Sequence, residues 1–494
     1  MHMRLIPGFL AAAALSIPAT LVAAPAHAGT ASDGAIEFCL EGEFDLGKRL
    51  QGMQPNVSEM YPTQWCVITE DDSDRVQFMA SGHSNPDMSG SFTVAYLPPD
   101  TVRIVNSDDP PDLVFVGADI IEEARRNRRI DPKRVVAELK AHPDWVVSTA
   151  DDGWKTVQYP GEPTSVRVRI VDGHLQALHT TAELPLRGTV PVRWTWDWQE
   201  PTAPRLAFHV DGEEMFRATG SWRTLDAEST EAVWAPSGNV EPREIPGSAW
   251  PARTAMRLEQ LSDDVYLVRG VRTGFTHMVI DTEDGLVVGD APAGWVELPQ
   301  VPPADLVPGL GVSGLSEKFI DFLRQEFPQR KIHAVALTHA HDDHAGGARA
   351  FAAAGADVHA PAAVSEYLEA ALNRDNMPAD RLKSAKGKVD IEPVTGNVAL
   401  GDGDAVLMNI GSGPHVSASL GLWAKDAGYF FVSDLHVPTS ESDEPRKDRL
   451  ATECWFAKWA VKNLPAETIV VNSHSSVRTP VSRLASYTRH ADCS

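Results

Sequence analysis

The stretch His339-Ala340-His341-Asp342-Asp343-His344 decides the fold of this chain, because it places three imidazoles and two carboxylates within six residues. So many ligand groups in one short segment are hard to explain as a solvated surface. The preceding run, residues 332–338, is short and largely apolar, which predicts a buried strand. The run after it, residues 345–351, predicts the start of a helix. We therefore expect the cluster on a loop at the C-terminal end of a strand, where α/β sheets place their ligands.

Length and charge limit the classes of function. The chain has 494 residues, which is enough for two or three domains. Its apolar content of 43% and charged content of 23% are typical of a globular protein. The net charge is −24, and the sequence has no stripe of lysine and arginine. Nucleic acid and anionic membrane surfaces are therefore disfavoured as partners.

The N-terminus has the pattern of a targeting segment. Arg4 supplies a positive charge, residues 5–24 are apolar but broken by two prolines, and residues 26–28 fit a cleavage site with small residues. We expect residues 1–28 to be a cleaved signal peptide. A membrane anchor is the less favoured alternative, since the prolines interrupt the apolar run. No later run is long and apolar enough to span a bilayer, so the mature protein is expected to be periplasmic or secreted.

Four cysteines in an exported chain indicate disulfides. Cys39 and Cys66 are close in sequence, and so are Cys454 and Cys493. Of three possible connectivities we prefer the local pairs Cys39–Cys66 and Cys454–Cys493. Because no cysteine lies beside a metal-ligand motif, a thiolate catalyst or ligand is disfavoured.

Residues 30–245 predict a separate, mostly β domain. Residues 166–170 and 190–198 alternate apolar and polar side chains, as antiparallel strands with one packed face do. Two helices are expected at 119–129 and 131–142.

A proline-rich segment, residues 236–254, predicts a linker between domains. The next segment, 253–494, begins with three short strands and continues with alternating strands and helices. This order predicts a layered α/β domain.

Three further residues follow apolar strands of this second domain, as the opening cluster does: His415, Asp434 and His474. Within the cluster, His339 and His341 leave the strand on the same side and can bind one ion. Asp343 and His344 turn toward a second position.

These residues, in this order, resemble the metallo-β-lactamase-fold hydrolase superfamily. The resemblance covers residues 253–490 and implies an αββα sandwich preceded by the β-rich domain. It implies that one metal is held by three histidines: His339, His341 and His415. It implies that the other is held by a carboxylate and two histidines: Asp343, His344 and His474. Asp434 would bridge the two metals.

The donor set favours two Zn²⁺ ions. Neutral imidazoles and carboxylates without thiolates suit zinc, with iron or manganese less favoured. Two ions roughly 3.5–4 Å apart can share a hydroxide and polarise an electrophile. Asp343 is the candidate catalytic residue that orients this hydroxide. A closed structural zinc site is disfavoured, because it needs four ligands and seven converge here. A metal-free relative is also disfavoured, since every ligand position is filled.

Three other residues are candidates for supporting a metal ligand or contacting substrate: His436, Asp290 and His277. His436 lies two residues after Asp434 and would point to the same side. Asp290 follows the strand at 286–289, and His277 opens another strand.

The sequence therefore predicts an exported dinuclear zinc hydrolase that acts on a small-molecule ester, lactone or related substrate. The alternatives are a metallo-β-lactamase, a mononuclear iron oxygenase of thiols or persulfides, and a non-catalytic binding protein. Asp434 argues against the β-lactamase, because the family's true β-lactamases generally place another residue at the bridge. Oligomeric state stays open.

Overall fold

The fold is known from a computed structural model that describes residues 35–45, 60–70, 75–85, 88–105, 113–119, 124, 127–160, 162, 165–249, 256–271, 275–293, 313–438 and 440–493. All described residues belong to one compact unit. The predicted signal peptide, 1–28, lies outside them. The division into two domains at 245–253 stays a prediction.

The first part of the chain forms one sheet of fourteen described strands. Its order is β14-β6-β5-β4-β3-β2-β1-β13-β12-β11-β10-β9-β8-β7. The strands are β1 (Ile36–Asp45), β2 (Met60–Thr69), β3 (Val76–Asn85), β4 (Met88–Leu97), β5 (Thr101–Ile104), β6 (Leu113–Asp119), β7 (Val146–Thr149), β8 (Trp154–Val157), β9 (Val166–Val171), β10 (His174–Leu184), β11 (Gly188–Asp197), β12 (Arg205–Val210), β13 (Glu213–Thr224) and β14 (Arg243–Ala249).

Alternating burial confirms the predicted one-sided strands. In β11 buried and exposed residues alternate, and Trp194 and Trp196 lie on the buried face. Trp194 packs against Phe208 of β12 with ring centroids 4.9 Å apart. The tryptophans are therefore part of a packed core.

The helices of this region differ in part from the prediction. Helix α1 (Pro132–Ala141) lies where expected, and Asp131 caps it by accepting a hydrogen bond from the Lys133 amide. Of the other predicted helix, 119–129, the first residue ends β6, residues 124, 127 and 128 are helical, and residues 120–123 and 125–126 lie outside the described part. Helix α2 (Ala227–Trp234) was not predicted.

The predicted linker, 236–254, is not free of regular structure. Strand β14 lies inside it and pairs in parallel with β6, while the other strand pairs of this sheet are antiparallel. Its prolines did not prevent pairing, since an edge strand uses only one row of backbone groups.

The second part of the chain forms two sheets packed face to face. The seven-stranded sheet, in chain order, contains β15 (Arg257–Gln260), β16 (Val265–Arg269), β17 (Thr276–Thr282), β18 (Gly285–Gly289), β19 (Ile332–Ala336), β20 (Asp357–Pro361) and β21 (Ile391–Val394). The six-stranded sheet contains β22 (Asn397–Leu400), β23 (Ala405–Gly411), β24 (Ser419–Ala424), β25 (Tyr429–Phe431), β26 (Ile469–Val471) and β27 (Thr479–Pro480).

Helices cover the outer faces of both sheets, which confirms the αββα sandwich. One core joins the two sheets through residues such as Val287 and Leu422. A second core packs helices on the seven-stranded sheet, and a third packs helices on the six-stranded sheet. The helices are α3 (Gly314–Glu326), α4 (Asp342–Ala345), α5 (Ala348–Ala353), α6 (Ala362–Leu372), α7 (Arg381–Ser384), α8 (Leu450–Asn463) and α9 (Val481–Tyr487).

Both predicted disulfides are present. Cys39 and Cys66 are directly opposite each other in β1 and β2. Cys454, in α8, is bonded to Cys493 near the C-terminus. Among the described helices none is both long and apolar enough to cross a bilayer.

Candidate metal centre

Within each sheet, the strands that the predicted ligands follow run in one direction. β18 and β19 are parallel neighbours, as are β25 and β26. β23 runs in the direction of β25, because each pairs antiparallel with β24. The carboxyl ends of such strands meet at one edge of the sandwich, and the side chains that follow them converge there.

One group consists of His339, His341, His415 and Asp434, whose candidate ligand atoms all lie within 4.8 Å of one another. The Oδ2 atom of Asp434 lies 3.4 Å from His415 Nε2 and 3.9 Å from His339 Nε2. These residues are buried. The structure thus brings the three histidines from two loops around one point.

The other group consists of Asp343, His344 and His474, again within 4.8 Å. The Nε2 atoms of the two histidines are 3.3 Å apart, and His344 Nε2 lies 3.3 Å from Asp343 Oδ2. Two nitrogens bound tetrahedrally to one zinc at about 2.0–2.1 Å lie roughly 3.3 Å apart. The spacing therefore fits two ligands of one ion.

Asp434, a member of the first group, also faces the second group. Its Oδ2 atom faces His339 and His415, whereas its Oδ1 atom lies 2.9 Å from His474 Nε2 and 3.2 Å from His344 Nε2. One carboxylate therefore presents one oxygen to each group, which is the arrangement of a bridging ligand.

The buried nitrogens support the fit to metal. The Nε2 atoms of His339 and His341 are buried and have no hydrogen-bond partner within the described chain. A buried polar atom without a partner is costly, and a cation would supply one. In a further group of three described residues, Glu37, Cys39 and Cys66, both sulfurs are in the disulfide, so it offers no thiolate.

Burial keeps two histidines of the first group neutral. It lowers the pKa of His341 to about 3, assisted by neighbouring His415. Burial likewise holds the pKa of His339 well below its usual value, and His344 adds to this effect. A neutral imidazole has the free lone pair that a metal needs. Both residues are therefore in the metal-binding form at neutral pH.

The carboxyl groups of Asp434 and Asp343 also have lowered pKa values. Burial alone would raise the pKa of Asp434, but His344 and His474 outweigh it and hold that pKa well below its usual value. The pKa of Asp343 is lowered in the same way, mainly by His344, against the effect of burial. Both carboxylates are ionised at neutral pH and can balance the charge of a cation.

Residues 313–474 match the family model described as the Metallo-beta-lactamase superfamily. The matched segment is a metallo-beta-lactamase superfamily domain. It covers less than half of the chain but contains both candidate groups. No curated protein matches the chain.

Solved structures similar to about half of this chain are themselves metallo-β-lactamases. DIM-1 metallo-β-lactamase is 15% identical, over 47% of this chain and 94% of its own, with a TM-score of 0.34. A metallo-β-lactamase from Hirschia baltica is 16% identical, over 47% and 96%, with a TM-score of 0.33. One from Pontibacter korlensis is 17% identical over the same shares, also at 0.33.

Asp290 supports a candidate ligand of the superfamily domain. Its Oδ2 atom lies 2.9 Å from His344 Nδ1, and its Oδ1 atom accepts a hydrogen bond from the Thr338 amide at 2.8 Å. The Oγ of Ser433 also donates to Oδ2, at 2.8 Å. A carboxylate bonded to the second ring nitrogen fixes the orientation of a metal-binding histidine.

Two serines beside the predicted ligands were not singled out from sequence. Ser433 and Ser473 precede Asp434 and His474, and their hydroxyls are 3.1 Å apart. Ser473 donates a hydrogen bond to Asp434 Oδ1 at 2.9 Å. The available signal was their place at the same strand ends as the ligands.

His277 lies behind the second group. Its Nδ1 atom is 3.0 Å from the Gly289 carbonyl oxygen, and its Nε2 atom is buried without a hydrogen-bond partner among the described residues. Burial lowers the pKa of His277 to about 4, so the ring is neutral at pH 7. Its ring stacks on Phe275, which contacts the ring of His474.

The expectation that His436 faces the site is wrong. Its Nδ1 atom lies 2.6 Å from Glu453 Oε2, and its Nε2 atom lies 2.9 Å from Thr479 Oγ1. The ring is fully buried beside Phe456 and Tyr487. The single-turn helix Ser433–Leu435 breaks the strand periodicity on which the expectation rested. His436 therefore stabilises the packing of α8 instead of touching substrate.

Proposed function

We propose that this chain is a metal-dependent hydrolase with a dinuclear zinc centre formed by His339, His341, Asp343, His344, His415, Asp434 and His474. The observation that carries the proposal is the position of Asp434, which presents one oxygen to each histidine group. Superfamily membership of residues 313–474 supports the same conclusion.

When bound, two zinc ions supply a water of lowered pKa and positive charge that stabilises a developing oxyanion. Asp343 is the residue that would accept a hydrogen bond from the attacking water, since its carboxylate is ionised. Asp343 and His474 are also the more exposed members of the centre, with side chains 13% and 25% exposed. Substrate would therefore approach from the second group, while the first group stays buried.

The proposed substrate is an ester, a lactone or a related small molecule. Asp434 at the bridge supports this class over β-lactams. Hydrolysis of an aryl ester, a lactone and a chromogenic cephalosporin should be measured under identical conditions. Turnover of the cephalosporin at a rate far above the other two would contradict the preference.

Metal dependence has a direct test. Chelation should abolish hydrolysis, and Zn²⁺ should restore it, with two zinc ions per chain by elemental analysis. A single iron together with thiol or persulfide oxidation would indicate an oxygenase instead. Full activity in the chelated protein would contradict a metal mechanism, and a loaded centre without turnover would indicate a binding protein.

We also propose that the chain is exported. The two disulfides support an oxidising compartment. Sequencing the N-terminus of the mature protein from a periplasmic or secreted fraction should find a start near Gly29. A mature form that retains Met1 and stays in the cytoplasmic fraction would contradict export.

A further inference from the structure

The tip of the β10–β11 hairpin touches the turn that carries two candidate metal ligands. The tip consists of residues 185–187, between Leu184 and Gly188. Pro185 packs so closely on Gly346 that a Cβ added to Gly346 would lie 2.5 Å from the Pro185 Cβ. Gly346 follows His344 by two residues and ends helix α4. The hairpin of the fourteen-stranded sheet therefore lies directly against the metal-binding segment.

Leu186 inserts into the core beside that turn. It is only 1% exposed and belongs to the cluster that includes Ala345 and Ala348, not to the core of its own sheet. Its φ of 62° is left-handed, which is unfavourable for a bulky side chain. Such a conformation persists only where the surrounding contacts fix it. The tip is thus held in one conformation by the domain that it enters.

A loop of the second domain binds the other side of the tip. The Asn376 side-chain amide donates hydrogen bonds to the carbonyl oxygens of Arg187 and Thr189, at 2.9 and 3.1 Å. The Thr189 amide donates to the Asn376 carbonyl oxygen at 2.8 Å. Gly188 leaves room for this contact, since an added Cβ would lie 2.6 Å from that oxygen.

The same loop is bound to the helix that follows the metal-binding turn. Asp380 accepts two hydrogen bonds from the Arg349 guanidinium, at 2.5 and 2.9 Å, and both side chains are buried. Arg349 lies in α5, which begins just after Gly347. The segment that joins α4 to α5 is therefore held from two sides. Pro185 and Leu186 contact it on one side, and residues 376–380 hold it on the other.

We propose that the hairpin tip, with Leu186 as its main positioning residue, fixes helix α4 and thereby the second metal position. The inference rests on the proposed dinuclear function. Asp343 and His344 are in α4, whereas His339 and His341 precede it and His415 follows β23. Loosening the tip should therefore weaken the second metal and spare the first.

Leu186→Ala tests this against Leu206→Ala, which removes the same atoms from a buried leucine of β12 in the core of the fourteen-stranded sheet. Zinc binding by the metal-free proteins should be titrated against a chromogenic chelator, and Co²⁺ absorption followed in parallel. We expect wild type and Leu206→Ala to bind two ions alike. Leu186→Ala should bind the first ion normally and the second at least about tenfold more weakly, as when residues supporting a metal ligand are lost.

Asn376→Ala is a second variant. Because Asn376 is exposed, the variant should fold, and its zinc binding can be measured even if Leu186→Ala fails to fold. Its control is Asn463→Ala, which removes a comparable side-chain bond to a backbone carbonyl at the end of α8. Asn376→Ala should weaken the second ion selectively, and Asn463→Ala should not. Unchanged binding in Leu186→Ala and Asn376→Ala, or equal loss in Leu206→Ala, overturns the positioning role. Wild-type protein that binds fewer than two ions overturns the proposed function itself.

Discussion

Ser433 donates a hydrogen bond to Asp290, and both residues have a left-handed backbone, with φ of 53° and 66°. The 2.8 Å bond joins the end of β25 to the end of β18. Asp290 also bonds His344, and Ser433 directly precedes Asp434. The pair therefore links His344 of the second group to the backbone that carries Asp434, at the cost of two unfavourable backbone conformations.

Ser433→Ala and Ser433→Gly separate the hydroxyl from the backbone. Both lose the bond to Asp290, and we expect each to bind zinc about tenfold more weakly. Glycine tolerates a positive φ, so the glycine variant should be more stable than the alanine variant by about 1 kcal/mol. Chemical denaturation and zinc titration measure the two effects. Equal stability of the two variants would show that the left-handed backbone at this residue carries no cost.

Asp434→Asn should affect both metal positions at once. The amide keeps the shape of the side chain but offers one oxygen, so one of the two groups loses its shared ligand. We expect the zinc content to fall from two ions to one or fewer. We expect the rate of hydrolysis to fall about 10²–10³-fold, which corresponds to a loss of about 2.7–4 kcal/mol of transition-state stabilisation. Asp426→Asn, on an exposed turn of the same sheet, is the control. Two retained ions in Asp434→Asn would contradict the bridging assignment.

His277 gives the metal-free protein a pH-dependent stability. Its pKa is about 4 when folded and about 6.5 when unfolded, so the unfolded state takes up the proton first. Neutral His277 contributes fully to the free energy of unfolding above pH 6.5. This contribution is lost as the pH falls to 4, which lowers the free energy of unfolding by up to about 3 kcal/mol. His277→Asn places an amide nitrogen near the position of Nδ1, so it can still donate to the Gly289 carbonyl oxygen, but it does not titrate. Its unfolding free energy should therefore fall less steeply than that of wild type over this window, and parallel curves would contradict the assignment.

The Cys454–Cys493 disulfide should stabilise the C-terminal part of the domain. It joins residues 39 apart in sequence, for which chain entropy predicts about 4 kcal/mol at most. The double variant Cys454→Ser, Cys493→Ser should unfold at a lower temperature yet bind zinc as wild type does, since neither cysteine belongs to either candidate ligand group. Scanning calorimetry and zinc titration test this. Loss of zinc in the folded double variant would show that α8 also supports the centre.

Local patterns were sufficient to predict the strand ends that carry the candidate ligands. His415, Asp434 and His474 each follow an apolar strand, and strands of one direction bring such residues to one edge. The convergence depends on strand direction, which local sequence can indicate.

Contacts between distant segments could not be predicted in this way. The partner of His436 is Glu453, seventeen residues away on another helix, and nothing local to either residue signals the pairing. Leu186 is a leucine in a turn, and its burial depends on residues such as Ala345 and Ala348, more than 150 positions later in the chain. β14 pairs with β6 across more than a hundred residues. Such pairings depend on tertiary packing. The local pattern of apolar and polar residues does not predict them.

The position of β1 in the middle of its sheet has a consequence for the order of folding. β1 pairs with β13, so that Phe38 lies opposite Trp222. The meanders β1–β6 and β7–β13 can each grow from neighbouring hairpins, but the seam between them must wait until β13 has been synthesised. All of these strands precede His339, the first candidate metal ligand in the chain. We therefore expect the β10–β11 hairpin to be formed when His339 emerges during synthesis, and its tip to reach its final conformation only when residues 345–348 pack against Leu186.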